Sequence, residues 1–133
     1  MPRFVLDSWA LLAFFLAEPA AIRVRGILES GPRGEHELYL SVVNLGEVMY
    51  NLDRRRGIVV ARNALRAIEQ YVIRTVDVNR LLALEAATLK VTRRLGYADC
   101  FAAALALRLE AAVLTGDRDF QRVEDLVTVE WLQ

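Results

Sequence analysis

Two short apolar segments, each followed by an aspartate, constrain the fold of this chain more than any other feature. Phe4-Val5-Leu6 precedes Asp7, and Val113-Leu114-Thr115 precedes Gly116-Asp117. Runs of this length and composition predict buried strands, and a glycine directly after a strand lets the backbone turn. In a parallel sheet the carboxyl ends of both strands meet at one edge, where open α/β sheets bind ligands. The sequence therefore predicts that two acids from opposite ends of the chain lie close together.

Helical patterns alternate with short strands along the rest of the chain. The predicted strands are Arg3–Leu6, Leu38–Leu40, Ile73–Val76, 113–115 and Val127–Glu130. The predicted helices are Trp9–Ala17, Pro19–Ser30, Val42–Arg55, Ile58–Tyr71, 80–94 and Tyr97–Ala112, with a helical turn at 117–122. Ser8, Ser41 and Asn79 are the predicted N-caps of the first, third and fifth helices. Alternation of strands and helices predicts an α/β fold, with a parallel sheet joined by right-handed crossovers.

Length and composition indicate an ordinary globular unit. The chain has 133 residues, 55% of them hydrophobic, and its 17 basic side chains balance 17 acidic ones. We expect a single domain over residues 1–133, with part of the apolar excess facing a partner. The charge balance excludes a strong overall field that would attract nucleic acid.

The single cysteine and the distribution of apolar residues indicate the compartment. Cys100 has no partner for an intramolecular disulfide, which fits a reducing environment. We see no signal peptide, and no apolar run reaches the ~18 residues that a membrane span needs. We therefore expect a cytoplasmic protein that has no membrane partner.

Two further acids lie near the beginnings of predicted helices. Asp99 lies in the first turn of the sixth helix among apolar neighbours, and Glu47 is the only acid from Leu38 to Met49. Each of these acids also has a purely structural explanation: Asp99 can stabilise the positive end of its helix, and Glu47 can be a solvated surface side chain. Gly116-Asp117 can likewise be an ordinary turn. The case for function rests on all four acids together.

All four acids are predicted at one edge of the sheet. Asp7, Glu47, Asp99 and Asp117 each follow a strand or lie in the opening turns of a helix. Crowded carboxylates repel one another unless a cation neutralises them, and oxygen ligands without histidine or cysteine suit Mg²⁺ or Mn²⁺. Such ions polarise phosphate oxygens and activate water. The predicted chemistry is therefore hydrolysis of phosphodiester bonds.

The chain resembles the PIN-domain family, and most closely the VapC-type toxins of bacterial and archaeal type II toxin–antitoxin pairs. The resemblance covers nearly the whole chain and rests on four motifs: Val5-Leu6-Asp7-Ser8, Asn44-Leu45-Gly46-Glu47-Val48, Tyr97-Ala98-Asp99-Cys100-Phe101-Ala102-Ala103-Ala104-Leu105-Ala106 and Leu114-Thr115-Gly116-Asp117-Arg118-Asp119-Phe120. Each motif is weak alone, whereas their order and spacing in a chain of this size are specific. The resemblance implies a three-layer PIN-like fold, in which helices flank a parallel sheet.

The resemblance also implies a function and a set of site residues. Asp7, Glu47, Asp99 and Asp117 match the acidic quartet of the family, with Asp7, Asp99 and Asp117 as the metal ligands. Ser8 and Thr115 match supporting polar positions, and Asp119 matches a position that is often acidic. The expected protein is an endoribonuclease that uses Mg²⁺ or Mn²⁺ to cleave RNA. Its expected partners are a cognate antitoxin, whose tail reaches the site, and a second copy of the chain in a homodimer.

Several residues around these motifs are interpreted separately. Trp9 stands where the family often has a small polar residue, so it is expected either to narrow the edge of the pocket or to shift the fit of the substrate. Cys100 replaces a common alanine and is expected to be a small core residue. His36 is interpreted as a solvated surface side chain. Arg118 and Arg122, beside Asp117, are candidate contacts to RNA phosphates.

Two other classes of protein are alternatives. The first is a PIN-fold module that binds RNA or protein without catalysis, although all four acids are present. The second is a phosphoryl-transfer enzyme or receiver domain. A related phosphatase would require an aspartate where this chain has Trp9, and a receiver would require a late lysine after a strand, whereas the only lysine, Lys90, lies in a predicted helix.

Overall fold

The computed structural model describes residues 1–133 and contains five strands and six α-helices. The strands are β1 (Arg3–Leu6), β2 (Glu37–Ser41), β3 (Ile73–Val76), β4 (Ala112–Thr115) and β5 (Val129–Trp131). The helices are α1 (Ser8–Phe15), α2 (Ala21–Ser30), α3 (Val42–Arg56), α4 (Ile58–Gln70), α5 (Arg80–Arg93) and α6 (Tyr97–Leu109), and a 3-10 helix covers Arg118–Val123. No helix combines the length and the apolar character that crossing a membrane requires.

All five strands are parallel and lie in the order β3-β2-β1-β4-β5. Leu6 of β1 pairs with Leu40 of β2 on one side and with Leu114 of β4 on the other. The chain builds one side of the sheet outward from β1 and then crosses over to add β4 on the opposite side. The boundary between β1 and β4 is therefore the topological switch point, which is the usual place for a ligand site in such sheets. The predicted parallel sheet is confirmed.

Side chains alternate between the two faces of the sheet, and both faces are covered. Leu6 and Leu114 belong to one apolar cluster, to which helices α1 to α4 contribute. Val5 and Val113 belong to a second cluster, formed with α5, α6 and the 3-10 helix. Every residue from Cys100 to Ala106 is buried, because the small side chains of α6 let this helix lie close to the sheet. The structure therefore has the three layers that the resemblance implied.

The boundaries of several helices and strands differ from the prediction. The N-cap of α1 is Asp7 rather than Ser8, because an Asp7 carboxylate oxygen accepts a hydrogen bond from the Ala10 amide. Helix α1 ends two residues earlier than predicted, where Ala17 adopts a left-handed conformation with φ of 54°. Helix α2 begins at Ala21 instead of Pro19, and helix α6 ends at Leu109 instead of Ala112. Strand β5 begins two residues and ends one residue further along the chain than predicted, where its pairing with β4 places it.

Gly116 is required for a close approach, not for a special backbone angle. Its φ is not positive, in contrast to Gly34 and Gly57. A Cβ atom at Gly116 would lie 2.3 Å from the indole ring of Trp9. Trp9 therefore packs directly against the backbone of the turn that carries Asp117, at the edge of the predicted site.

This contact predicts that Gly116→Ala destabilises the protein. The added methyl group must displace the Trp9 ring or the turn, and such overpacking costs about 1–3 kcal/mol. Urea unfolding monitored by circular dichroism measures the difference. The matched control is Gly26→Ala in helix α2, where a Cβ meets nothing within 4 Å, so we expect a stabilisation of about 0.5–1 kcal/mol from helix propensity. Unchanged stability of Gly116→Ala would show that the contact with Trp9 is not restrictive.

Candidate active site

Asp7 is the most deeply buried acid of the molecule. It follows the central strand β1 and has 1% of its surface exposed. One carboxylate oxygen accepts from the Ala10 amide at 2.9 Å, and the other accepts from the Thr115 hydroxyl. Burial raises the pKa of Asp7 to about 8, which outweighs the two hydrogen bonds that lower it, and the charges of Asp99 and Asp117 raise it further.

Thr115 connects the ends of the two central strands. Its hydroxyl donates to Asp7 and accepts a hydrogen bond from the Asp117 amide at 3.0 Å. These two hydrogen bonds hold the turn after β4 against the end of β1, and Thr115 itself is fully buried. The predicted supporting position of Thr115 therefore has a definite contact in the structure. Ser8, the other predicted supporting residue, is half-buried as the first residue of α1.

Asp117 lies half-buried at the start of the 3-10 helix. Its Oδ1 accepts a hydrogen bond from the Asp119 amide at 3.0 Å, so the carboxylate is the N-cap of that helix. The cap fixes the orientation of Asp117 next to Asp7. Asp119 itself is exposed, and its carboxylate lies 3.7 Å from the guanidinium of Arg122.

Asp99 lies in the first turn of α6 and is partly buried. Burial raises the pKa of Asp99 to about 7, and the charges of Asp117, Glu47 and Asp119 raise it further. Lys90 opposes these effects by lowering the pKa of Asp99. The charges of Asp99 and Asp117 act on Asp7, and those of Asp117 and Glu47 act on Asp99, so the four predicted acids influence one another electrostatically.

Glu47 extends into this neighbourhood from helix α3. The side chain is half-buried, and its Oε1 accepts a hydrogen bond from the side-chain Nδ2 of Asn44 at 3.1 Å. The position of Glu47 follows from the start of α3, where Ser41 caps the helix directly after β2. Four different parts of the chain therefore contribute one acid each.

The acids form an electrostatic neighbourhood rather than a closed coordination shell. No group of three or more His, Cys, Asp or Glu side chains lies close enough together to hold a metal ion. The donor atoms available are carboxylate and hydroxyl oxygens, which are the ligands that Mg²⁺ and Mn²⁺ prefer. A divalent cation would also offset the burial and the neighbouring negative charges that together raise the pKa values of Asp7 and Asp99. The residues present therefore fit such an ion by chemistry, and the assignment of Asp7, Asp99 and Asp117 as ligands stays a prediction.

The two candidate RNA-binding arginines both have partners within the chain. Arg118 lies over the ring of Trp131, 4.6 Å from its centroid, and donates to the carbonyl of Gln133. Arg122 donates to the carbonyl of Arg94 at 3.0 Å. Both side chains are exposed, and a guanidinium group has five N–H donors, so donors remain for a ligand.

Two residues of this neighbourhood were not predicted as part of the site. Asn44 is fully buried and donates to Glu47, and its position three residues before Glu47 on one helix is a signal that was available. Lys90 donates to the Leu95 carbonyl at 2.9 Å and acts electrostatically on Asp99. It lies in a different helix from Asp99, and nothing in the local sequence indicates that the two side chains are neighbours.

The structure corrects the interpretation of His36. Its ring packs against Phe4 with centroids 5.0 Å apart, and its Nδ1 is buried without a hydrogen-bond partner. The residue is therefore half-buried beside the amino end of the sheet, not freely solvated. The prediction for Cys100 as a core residue is confirmed, and burial raises the pKa of its thiol to about 11.

The class that the structure defines is a three-layer α/β protein in which acids follow the strands at the switch point of a parallel sheet. The family model of the PIN domain matches residues 4–126 of the chain. The chain belongs to the PIN domain family, as the four sequence motifs predicted. No curated protein is significantly similar to it in sequence.

Solved structures of the same fold include several toxin–antitoxin proteins. VapC20 of Mycobacterium tuberculosis, described as a sarcin-ricin loop cleaving toxin, is 20% identical with a TM-score of 0.75, covering 89% of this chain and 92% of that chain. VapBC-1 of nontypeable Haemophilus influenzae is 21% identical with a TM-score of 0.69, covering 98% of both chains. A toxin–antitoxin complex of Klebsiella pneumoniae is 15% identical with a TM-score of 0.71, covering 97% of both chains. At these identities the likeness shows the fold.

The raised pKa values predict how stability depends on pH without metal. Asp7 and Asp99 have pKa values of about 8 and about 7 in the folded chain, against 3.8 for an ordinary aspartate. Between pH 4 and 8 the folded state therefore binds more protons than the unfolded state, so the free energy of unfolding falls as pH rises. Each carboxyl contributes a slope of up to about 1.4 kcal/mol per pH unit.

Thermal melts in EDTA-treated buffer at pH 5.5, 7 and 8.5 measure this dependence. We expect the highest melting temperature at the lowest pH, and a shallower dependence for Asp7→Asn. The control is His36→Asn, which replaces the only histidine of the chain and leaves Asp7 and Asp99 in place, so it is expected to keep the slope. A wild-type melting temperature that rises with pH would contradict the buried state of Asp7.

Proposed function

We propose that this chain is a metal-dependent endoribonuclease and the toxin of a type II toxin–antitoxin pair, formed by one PIN domain over residues 1–133. The observation that supports the proposal best is that Asp7 and Asp117 follow the two strands at the switch point and that Asp7, Glu47, Asp99 and Asp117 are linked electrostatically. Membership of the PIN family and the likeness to VapC structures agree with it. We expect the enzyme to act in the cytoplasm.

Each acid has a role in this proposal. Asp7, Asp99 and Asp117 would hold Mg²⁺ or Mn²⁺, and Glu47 would complete the acidic site from helix α3. When bound, such an ion polarises a phosphodiester oxygen and lowers the pKa of a water molecule. The protein supplies orientation: the Ala10 amide and the Thr115 hydroxyl fix Asp7, and the Asp119 amide fixes Asp117.

Protons must leave the site before a cation binds. The pKa values of Asp7 and Asp99 are raised to about 8 and about 7, so both carboxyls are partly protonated near neutral pH in the metal-free chain. Ligation requires the carboxylate forms, so metal binding releases protons and strengthens as pH rises through these values. The burial that destabilises charged Asp7 is therefore compensated when a cation is present.

The RNA substrate would approach the edge of the sheet beside the 3-10 helix. Arg118 and Arg122 lie on this helix with exposed guanidinium groups, and arginine suits contacts to phosphate. Because the overall charge is balanced, local contacts of this kind have to supply the attraction. Replacement of these arginines is expected to weaken RNA binding in a salt-dependent manner.

The acids predict a specific loss of activity on substitution. Asp117→Asn removes one charge while its Oδ1 can still cap the 3-10 helix, so the turn is preserved. We expect Asp117→Asn, Asp7→Asn and Asp99→Asn to reduce cleavage of RNA with Mg²⁺ or Mn²⁺ by about two orders of magnitude or more, because a metal ligand is lost. Gel assays of a labelled RNA with Mg²⁺, Mn²⁺ or EDTA measure the rates.

The control is Asp53→Asn, an exposed acid near the end of helix α3, which should retain full activity. Full activity of a folded Asp117→Asn variant would contradict the assignment of the site. If the wild type binds RNA without cleaving it under any metal condition, the alternative holds, and the chain is a PIN-fold binding module.

We further propose a cognate antitoxin and a homodimer as partners. The similar structure from Klebsiella pneumoniae is a toxin–antitoxin complex of its own proteins. Exposed apolar residues Leu81, Leu84 and Val91 form a stripe on the outer face of α5, and Leu107 of α6 is also exposed. Apolar stripes at helical spacing are typical of surfaces that another protein covers.

The stripe predicts where the dimer is sensitive to charge. We expect the wild type to sediment as a dimer at micromolar concentration and Leu84→Glu to sediment as a monomer, because a buried unpaired carboxylate is costly. Analytical ultracentrifugation measures the masses. Val59→Glu, at an exposed apolar position of α4, is the matched control and should remain dimeric. A monomeric wild type would contradict the homodimer, and a dimeric Leu84→Glu would exclude this surface as its interface.

A further inference from the structure

Asn44 is a fully buried polar residue near the beginning of helix α3. It is 0% exposed, and it lies in the first turn of α3, where apolar side chains would pack at a lower cost. Asparagine has a low helix propensity, and an amide taken out of water must recover its hydrogen bonds. The presence of an asparagine at this buried position is therefore not explained by its contribution to stability.

The amide of Asn44 connects two helices of the acidic site. Its Nδ2 donates to Oε1 of Glu47 at 3.1 Å and to the carbonyl oxygen of Ala98 at 3.3 Å. Ala98 directly precedes Asp99 on α6. One amide group thus links the carboxylate of Glu47 to the backbone beside Asp99.

The orientation of this amide is determined by its partners. Both groups that face Nδ2 are acceptors, so the reversed amide would place Oδ1 of Asn44 against two oxygens. In the observed orientation Oδ1 is buried and has no hydrogen-bond partner. An unpaired buried acceptor lowers stability, and a native structure that keeps one usually uses the residue for something else.

Glu47 has no other group to hold its carboxylate. The hydrogen bond from Asn44 is the only one that its carboxylate receives, and Glu47 takes part in no ion pair. A glutamate with three rotatable bonds loses considerable freedom when it is fixed at one place. Without Asn44 the carboxylate would be free to swing toward solvent.

We infer that Asn44 is a positioning residue that holds the Glu47 carboxylate on the Asp99 side of the acidic site. The inference rests on the proposed function, since it assigns Asn44 a role in the same site. Residues that orient the groups around a metal typically affect metal affinity or activity by about 10- to 100-fold when replaced. A residue that only connects two helices would affect folding instead.

The test is a double-mutant cycle with two measurements. Asn44→Leu removes the donor at similar volume, Glu47→Ala removes the carboxylate, and the double variant combines them. The first measurement is the Mn²⁺ concentration that gives half of the maximal thermal stabilisation. The second is the pair kcat and KM for cleavage of a labelled RNA.

We expect Asn44→Leu to raise the half-maximal Mn²⁺ concentration and to lower kcat by about 10- to 100-fold, with KM for RNA little changed. In the Glu47→Ala background the same substitution should have no further effect on either quantity, because Asn44 acts through Glu47. The matched control is Asn51→Leu. Its Nδ2 donates to the backbone carbonyl of Glu47 at 2.9 Å, so this change removes a helix contact and leaves the carboxylate bond intact.

The outcomes separate the two proposals. If the wild type shows neither stabilisation by Mn²⁺ nor cleavage, the proposed function is wrong. If the wild type shows both and Asn44→Leu behaves like Asn51→Leu, or keeps its full effect in the Glu47→Ala background, the positioning role is wrong. Melts without metal establish that each variant is folded, and Asn44→Ser replaces Asn44→Leu in the cycle if the larger side chain prevents folding.

Discussion

The burial of one carboxylate at the end of the central strand is the interaction on which the site depends. Asp7 loses nearly all contact with water, and it keeps its place because the Ala10 amide and the Thr115 hydroxyl bind its two oxygens. The Thr115 contact exists only when β1 and β4 pair in the observed register, with Leu6 opposite Leu114. A slip by one residue would turn Thr115 to the other face of the sheet. The same pairing therefore determines both the core and the position of the first acid.

The rest of the fold has to offset the cost of this arrangement. Burial and like charges raise the pKa values of Asp7 and Asp99, which means that their charged forms are disfavoured in the folded chain. Two apolar clusters on opposite faces of the sheet provide the compensating hydrophobic stabilisation. Active sites commonly hold groups in states that reduce stability and depend on a rigid scaffold around them. The alanine-rich helix α6, packed closely on the sheet, is that scaffold for Asp99.

Much of the fold and the identity of the four acids follow from local patterns, and the remainder depends on contacts across the chain. Short apolar runs and caps at Ser41 and Asn79 predict most helices and strands correctly, because these signals act within a few residues. Two interpretations required the tertiary structure: Gly116 is needed for the packing of Trp9, and His36 lies against Phe4. The replacement of Ser8 by Asp7 as the cap of α1 is local, because the two residues are adjacent and either side chain can cap a helix.

The difference between Asp99 and Glu47 shows what a pattern of acids leaves open. Asp99 lies on a buried helix whose backbone fixes it, whereas Glu47 has a longer side chain that reaches the site from another layer. Sequence order identifies both as candidates but contains no information about which neighbour restrains each one. For Glu47 the restraint comes from Asn44, whose amide also holds the backbone beside Asp99. An acidic site assembled from four separate elements therefore needs uncharged residues between those elements, and their hydrogen bonds set the distances at which the charges meet.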